Sequence, residues 1–261
     1  MLLGDRILGC PGARAGNPAA FTLLELLAVT ALLAVVILPL CLGARAPGDF
    51  GAAANEVASL LESAASYSRA NNTHVWVGFF EEDSGVAPGG SPKPGVGRIV
   101  ISVVASKDGT QIIDPSGPGT GIDPVRLVQV FKLLKIENAH LADVPAPASP
   151  DPGGGGESWN ARPEVQTPHV IYRIGETTPA PTIFPFVYPV GNFHSCGQYT
   201  FAKTLHFSPD GEAVLNTSYS LVPWIEIGLQ PAHGNLKTGS HSNCAAIQVS
   251  GVTGGVRVYR P

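Results

Sequence analysis

The chain has 261 residues, enough for one sizeable domain or two small ones. Charged residues make up 14%, the formal net charge is −4 and no basic stripe appears, which excludes an ordinary nucleic-acid binder. Gly (31) and Pro (24) are frequent, as in a chain of turns and short strands, and Cys10, Cys41, Cys196 and Cys244 include no C-x-x-C, so neither a zinc ribbon nor a thioredoxin-like site is supported.

The first element is an apolar run from Phe21 to Leu42, 22 residues with one charge, Glu25. A bilayer core needs about 20 apolar residues in a helix. Read as a transmembrane helix, the run follows Arg6 and Arg14, and positive-inside bias puts those residues in the cytoplasm and everything after residue 45 outside it. A secretory signal peptide with an A-x-A site at Ala44-Arg45-Ala46 fits less well, because the run exceeds the usual ~7–15 residues and Pro47 would follow the cut. A lipoprotein reading through Cys41 is opposed by bulky Leu40 before the cysteine.

Glu25 sets the third reading. A carboxylate inside a membrane needs a partner or water. A cut between Ala20 and Phe21 creates an α-amino group one helical turn from Glu25, at i and i+4 on the same face. The ion pair can also form between neighbouring subunits, which would fix their longitudinal register.

These residues, "FTLLELLAVTALLAVV", resemble the prepilin-type cleavage and methylation motif of type IV pilins and type II secretion pseudopilins. The resemblance implies that a membrane prepilin peptidase cuts between Ala20 and Phe21 and N-methylates Phe21. It also implies that Glu25, fifth in the mature chain, sets the assembly register. Ala20 stands where the family usually has Gly, and the nearest basic residue before the cut is Arg14.

Beyond Leu42, Gly43, Pro47 and Gly48 interrupt the run, and apolar residues then recur at three and four from Phe50 to about Ala70, with Asp49 as a possible cap. This predicts an amphipathic helix packed along a sheet. "THVWVGFF" (Thr73 to Phe80) and "GRIVISVVASKDG" (Gly97 to Gly109) read as strands, and the Glu81-Glu82-Asp83 triplet as a solvated loop tip. Asp123-Pro124 followed by an apolar segment to Ile136 favours a short helix, with "ENAHLAD" as a short strand after it. From Val144 to Pro168, Pro, Gly and Ala predict a long exposed loop. The remainder is strand-like, with hairpin turns at Ser208–Gly211 and Thr253–Gly255. The expected class is α+β: a long N-terminal hydrophobic helix, then a mostly antiparallel sheet domain. The expected organisation is a leader (1–20), a transmembrane or filament-core helix (21–42), an amphipathic helix (43–70) and an extracytoplasmic β-rich domain (71–261) with its loop at 144–168.

"FSPDGEA" and the terminal "IQVSGVTGGVRVYRP" are similar to the minor pseudopilin H and FimT group, where a C-terminal hairpin closes the sheet. "NEVASLLESAASYSRANNTHVWVGF", "VVASKDGT", "KIENAHLAD" and "WIEIGLQP" extend a resemblance to the Verru_Chthon cassette protein D family. That family implies no reaction.

Chemistry is sparse. His194, Cys196, His241 and Cys244 form a conceivable Cys₂His₂ set, but the H-x-C and H-x-x-C spacings are not a standard metal pattern. A Cys196–Cys244 disulfide suits an oxidising compartment better, and on the chain-entropy model would stabilise by roughly 4 kcal/mol. No G-x-S-x-G elbow occurs, so no catalytic residue, metal or cofactor is expected. The expectation is a pilin-like minor subunit of a pilus or type II secretion-like filament. It would be single-pass in the inner membrane, contacting its lipid, with a periplasmic domain. Its partners would be the prepilin peptidase and other pilin-like subunits, with no nucleic acid. The alternative is a surface adhesion or binding module that uses the N-terminal segment only as an anchor.

Overall fold

Alanine and leucine at three- and four-residue spacing make Phe50–Ala70 an α-helix, α1. The computed structural model describes residues 50–86, 91–111, 122–151, 156–165, 172–176, 185–191, 199–215, 221–237 and 243–261. Ala54, Val57, Ala58, Leu61, Ala64 and Ala65 are buried along one stripe, while Asn55, Glu56, Ser59, Glu62 and Ser63 are exposed on the other. The helix ends in a left-handed Asn72 (φ 47°). Thr73 N–H then donates to Ser68 O and Asn72 N–H to Arg69 O, the Schellman arrangement that satisfies the last carbonyls.

The strands are, in chain order, β1 (Val75–Asp83), β2 (Gly97–Ser106), β3 (Leu127–Gln129), β4 (Leu134–Glu137), β5 (Ala139–Leu141), β6 (Arg173–Ile174), β7 (Phe186–Tyr188), β8 (Tyr199–Phe201), β9 (Lys203–Phe207), β10 (Ala213–Leu215), β11 (Trp224–His233), β12 (Leu236–Lys237), β13 (Ala245–Ser250) and β14 (Val256–Tyr259). The first sheet runs β10-β9-β1-β2, and β3 and β4 share the outer edge of β2. The second runs β12-β11-β13-β14, with β5 and β6 also paired to β11. A separate hairpin joins β7 to β8. Every pairing between these strands is antiparallel except that of β6 with β11.

Strand alternation assigns the core. Val75, Val77, Phe79, Ile99, Ile101 and Val103 of the first sheet join Ile225, Ile227, Leu229, Ile247 and Val249 of the second and the α1 stripe in one apolar cluster. The other face of the first sheet carries Trp76, Val100 and Val104, and the β7–β8 hairpin covers them with Phe186, Tyr199 and Phe201. Burial on both faces explains why β2 reads as a nearly continuous apolar run. Gly78 lets the hairpin approach: a Cβ there would lie 2.6 Å from Phe201 Cβ and 2.7 Å from Phe186 Cζ. Two arginines tie α1 to the rest. Arg69 Nη1 donates to Thr253 O in the β13–β14 turn (3.0 Å), and Arg260 Nη2 donates to Gly51 O (2.5 Å) and Asn55 Oδ1 (3.1 Å).

Three expectations are corrected. The α+β class with a long N-terminal hydrophobic helix is overturned. Among the described residues α1 is the single α-helix, no helix is long and apolar enough to cross a membrane, and the rest is mostly antiparallel sheet. One side of α1 is polar, so its apolar content serves a one-sided contact. The apolar run at 21–42 and Asp49 lie outside the described residues. The helix expected over Asp123–Ile136 is instead a 3₁₀ turn (Pro124–Arg126) followed by β3 and β4. The edge of β2 needs partners, and Val104–Ser106 and Arg98–Ile101 take them there. The acidic triplet is no solvated tip: it ends β1 in register with Gly97–Ile99, and Glu82 is 2% exposed. The described residues of the loop after Val144 form no strand and are for the most part exposed or partly exposed, with Val144, Arg162 and Val165 buried among them.

Candidate functional site

Of the residues singled out in the sequence, Ala20, Phe21, Glu25, His194, Cys196 and His241 lie outside the described residues. Cys244 immediately precedes β13, is buried against Val144, Ala246, Tyr259 and Trp159, and burial pushes its thiol pKa up. Among the described residues no group of three or more His, Cys, Asp and Glu could hold a metal ion. The fold does bring together polar clusters, three of them built on fully or nearly fully buried side chains.

The first is a row across three strands. The register places Glu82 of β1 opposite Arg98 of β2, and Arg98 opposite Glu137 of β4. Arg98 donates from Nη1 to Glu82 Oε2 (2.8 Å) and from Nε to Glu137 Oε1 (2.5 Å). Tyr199 Oη, from the hairpin, donates to Glu82 Oε1 (2.9 Å) and accepts from Lys135 Nζ (2.5 Å). Burial pushes the Glu82 carboxyl pKa up, but the hydrogen bonds from Arg98 and Tyr199, with the Lys135 charge, outweigh it and leave it below its ordinary value. The Tyr199 phenol, by contrast, is raised, first by burial. A phenol between an ammonium and a carboxylate has the parts of a proton relay. Here, however, both Glu82 oxygens are engaged within the row, and a raised phenol is a poor proton donor near neutrality. The chemistry of this row is that of a tether holding the hairpin on β1.

The second pairs two imidazoles. Trp76 and His206 are register partners across β1 and β9. His74 Nδ1 and His206 Nε2 are 2.9 Å apart, sharing one N–H···N bond, and the Trp76 ring stacks on His206 at 5.1 Å. Burial, then the neighbouring His74, lowers the His206 pKa from 6.5 to about 3, while His74 is lowered by burial against the opposing charge of Asp210.

The third lies on the outer face of the second sheet. Glu226 (β11), Arg173 (β6) and Gln248 (β13) are register neighbours, and Arg162 reaches them from the loop that follows β5. Arg162 Nε donates to Glu226 Oε2 (3.0 Å), Arg173 Nε lies 3.0 Å from Oε1, and Gln248 Nε2 donates to Oε2 (3.0 Å). Arg162, Glu226 and Gln248 are all fully buried. Arg162 also donates to Trp159 O (2.8 Å) and Pro145 O and stands 3.9 Å over the Trp159 ring.

Sequence reading missed all three clusters, since each is assembled by register between distant segments. One signal was present for the third: a tryptophan and an arginine, Trp159 and Arg162, inside a Gly/Pro tract otherwise without anchors. Comparison of the chain with known protein families, with curated proteins and with solved structures finds no match.

Proposed function

We propose that the chain is a pilin-like, minor-pseudopilin structural subunit of an inner-membrane-anchored pilus or type II secretion-like filament, cut by a prepilin peptidase between Ala20 and Phe21. The observation that carries this reading is Glu25, the one charge in a run of 22 residues, placed four residues after Phe21, the first residue beyond the cut. A carboxylate inside a bilayer costs up to about 2.5–3.5 kcal/mol at its centre on insertion scales and less toward the ends. The new Phe21 amine offsets that cost in the same copy or in a neighbouring pilin-like subunit. The β domain then stands on the periplasmic side, and the apolar segment contacts lipid until assembly. The role is mechanical, not catalytic, with no cofactor.

Support comes from how the described part is built. α1 starts eight residues after the apolar run ends, and its stripe is clamped to both sheets and tied by Arg69 and Arg260. The adhesion alternative would place recognition on the Glu81–Asp83 segment and the Gly/Pro-rich loop, and Glu82 and Arg162 within them are spent on internal ion pairs.

Glu25→Ala tests the reading. The variant is expected to remain in the membrane with a folded β domain, by thermal melting, yet to be lost from filaments sheared off the cell. Wild-type incorporation would sink the proposal.

A further inference from the structure

Most surface cations of the described residues are spent within their own copy. Lys93 pairs with Asp83, Arg126 with Asp108, Lys135 with Glu82 and Lys237 with Glu176. Arg69 and Arg260 donate to Thr253 O and Gly51 O. Lys132 differs. It is exposed in the bend between β3 and β4, and its ammonium has no ion pair among the described residues. On the acidic side, Glu56 and Glu62 are exposed on the outward face of α1, also without an ion pair among the described residues. The helix cannot supply their counter-charge. Residues 50–68 hold these two acids and no base, so neither has a basic residue three or four places away.

The β3 edge has the opposite character. β3 ends the first sheet, and beside it Val125 and Val128 are 50% and 39% exposed. Lys107 and Lys132 flank these valines, and the Lys107 ammonium donates to Val125 O (2.6 Å), which holds it at the edge. The acids nearby are engaged, Asp108 on Arg126 and Asp123 on the Val125 N–H (3.0 Å). Lysines beside an edge strand keep a second strand from pairing there. They attract an acidic helix face instead.

We propose that the outward face of α1 in one copy docks on the β3 edge of a second copy, with Glu56 and Glu62 meeting Lys132 and Lys107, and Val125 and Val128 seated on the helix between the two acids. The two surfaces are different, so the contact is heterologous, and each copy can use one with each neighbour. Repetition makes a row of copies and not a closed pair. Exposed ion pairs are weak, so the docking rests on the filament reading for what brings copies side by side.

A zero-length carbodiimide, which joins a carboxylate to an amine in contact with it, tests this on the full chain in its native membrane. The expected product is a dimer whose linked peptides join Glu56 or Glu62 to Lys132 or Lys107. Lys132→Glu is expected to lower the dimer yield about fivefold, and adding Glu62→Lys in the same chain to restore it. A wild-type yield from Lys132→Glu alone would overturn the docking. So would a chain that enters sheared filaments yet gives no such dimer, an outcome that leaves the filament reading standing. A chain absent from filaments that still gives these linked peptides would keep the docking and sink the filament reading.

Discussion

Replacing His206 by Phe takes a proton site out of the core, and its effect should depend on pH. His206 is 3% exposed and its folded-state pKa is about 3, against 6.5 as the ordinary value. For a histidine depressed in the folded state, the unfolded chain binds the proton more readily. Stability is therefore complete above pH 6.5 and falls as pH drops below it, until the folded state also takes the proton near pH 3. The slope approaches roughly 1.4 kcal/mol per pH unit for one proton well below pH 6.5, so the loss between pH 7.5 and 4.5 is about 2.7 kcal/mol. That is a large part of a domain stability of about 5–15 kcal/mol. At pH 7.5 the variant should be slightly weaker, by about 1 kcal/mol, because His74 loses its N–H···N partner. Urea unfolding of both proteins at pH 7.5 and 4.5 measures the difference. The carboxylates titrate in both proteins and largely cancel. The wild-type protein should lose about 3 kcal/mol more than the variant. Equal losses would show that the buried imidazole is not the acid-labile group.

Gly78→Ala puts a methyl group 2.6 Å from Phe201 Cβ and should force the β7–β8 hairpin off β1, lowering stability by about 1–3 kcal/mol in thermal melting; an unchanged melting temperature would show that the hairpin is not seated there. Tyr199→Phe deletes the hydroxyl that donates to the buried Glu82 and should cost about 1.5–3 kcal/mol, with Glu82 still held by Arg98. A loss well below 1 kcal/mol in urea unfolding would mean the row is not the hairpin's tether.

Local pattern carried far in this chain. The 3.6-residue stripe marks α1 closely, and the Ser208–Gly211 turn falls where β9 and β10 meet. Pattern failed where neighbours decide. Asp123-Pro124 is a helix-start signal, yet β2 has an open edge that draws the following residues into β3 and β4. Composition marks 144–168 as an exposed loop, but it cannot report that Glu226, more than sixty residues away, offers Arg162 a buried partner. Glu82 likewise reads as surface until register sets Arg98 beside it and the hairpin delivers Tyr199. Burial of a charge is a property of the assembled sheets, and its partner is rarely near in sequence.

The central claim is that the N-terminal segment is processed for assembly. Intact-mass and peptide mass spectrometry of the protein from its native membrane reads the first residue directly. The account predicts a chain beginning at N-methylated Phe21, with residues 1–20 removed. A chain that still begins at Met1, or one that begins at Pro47 after signal-peptide removal, would contradict it.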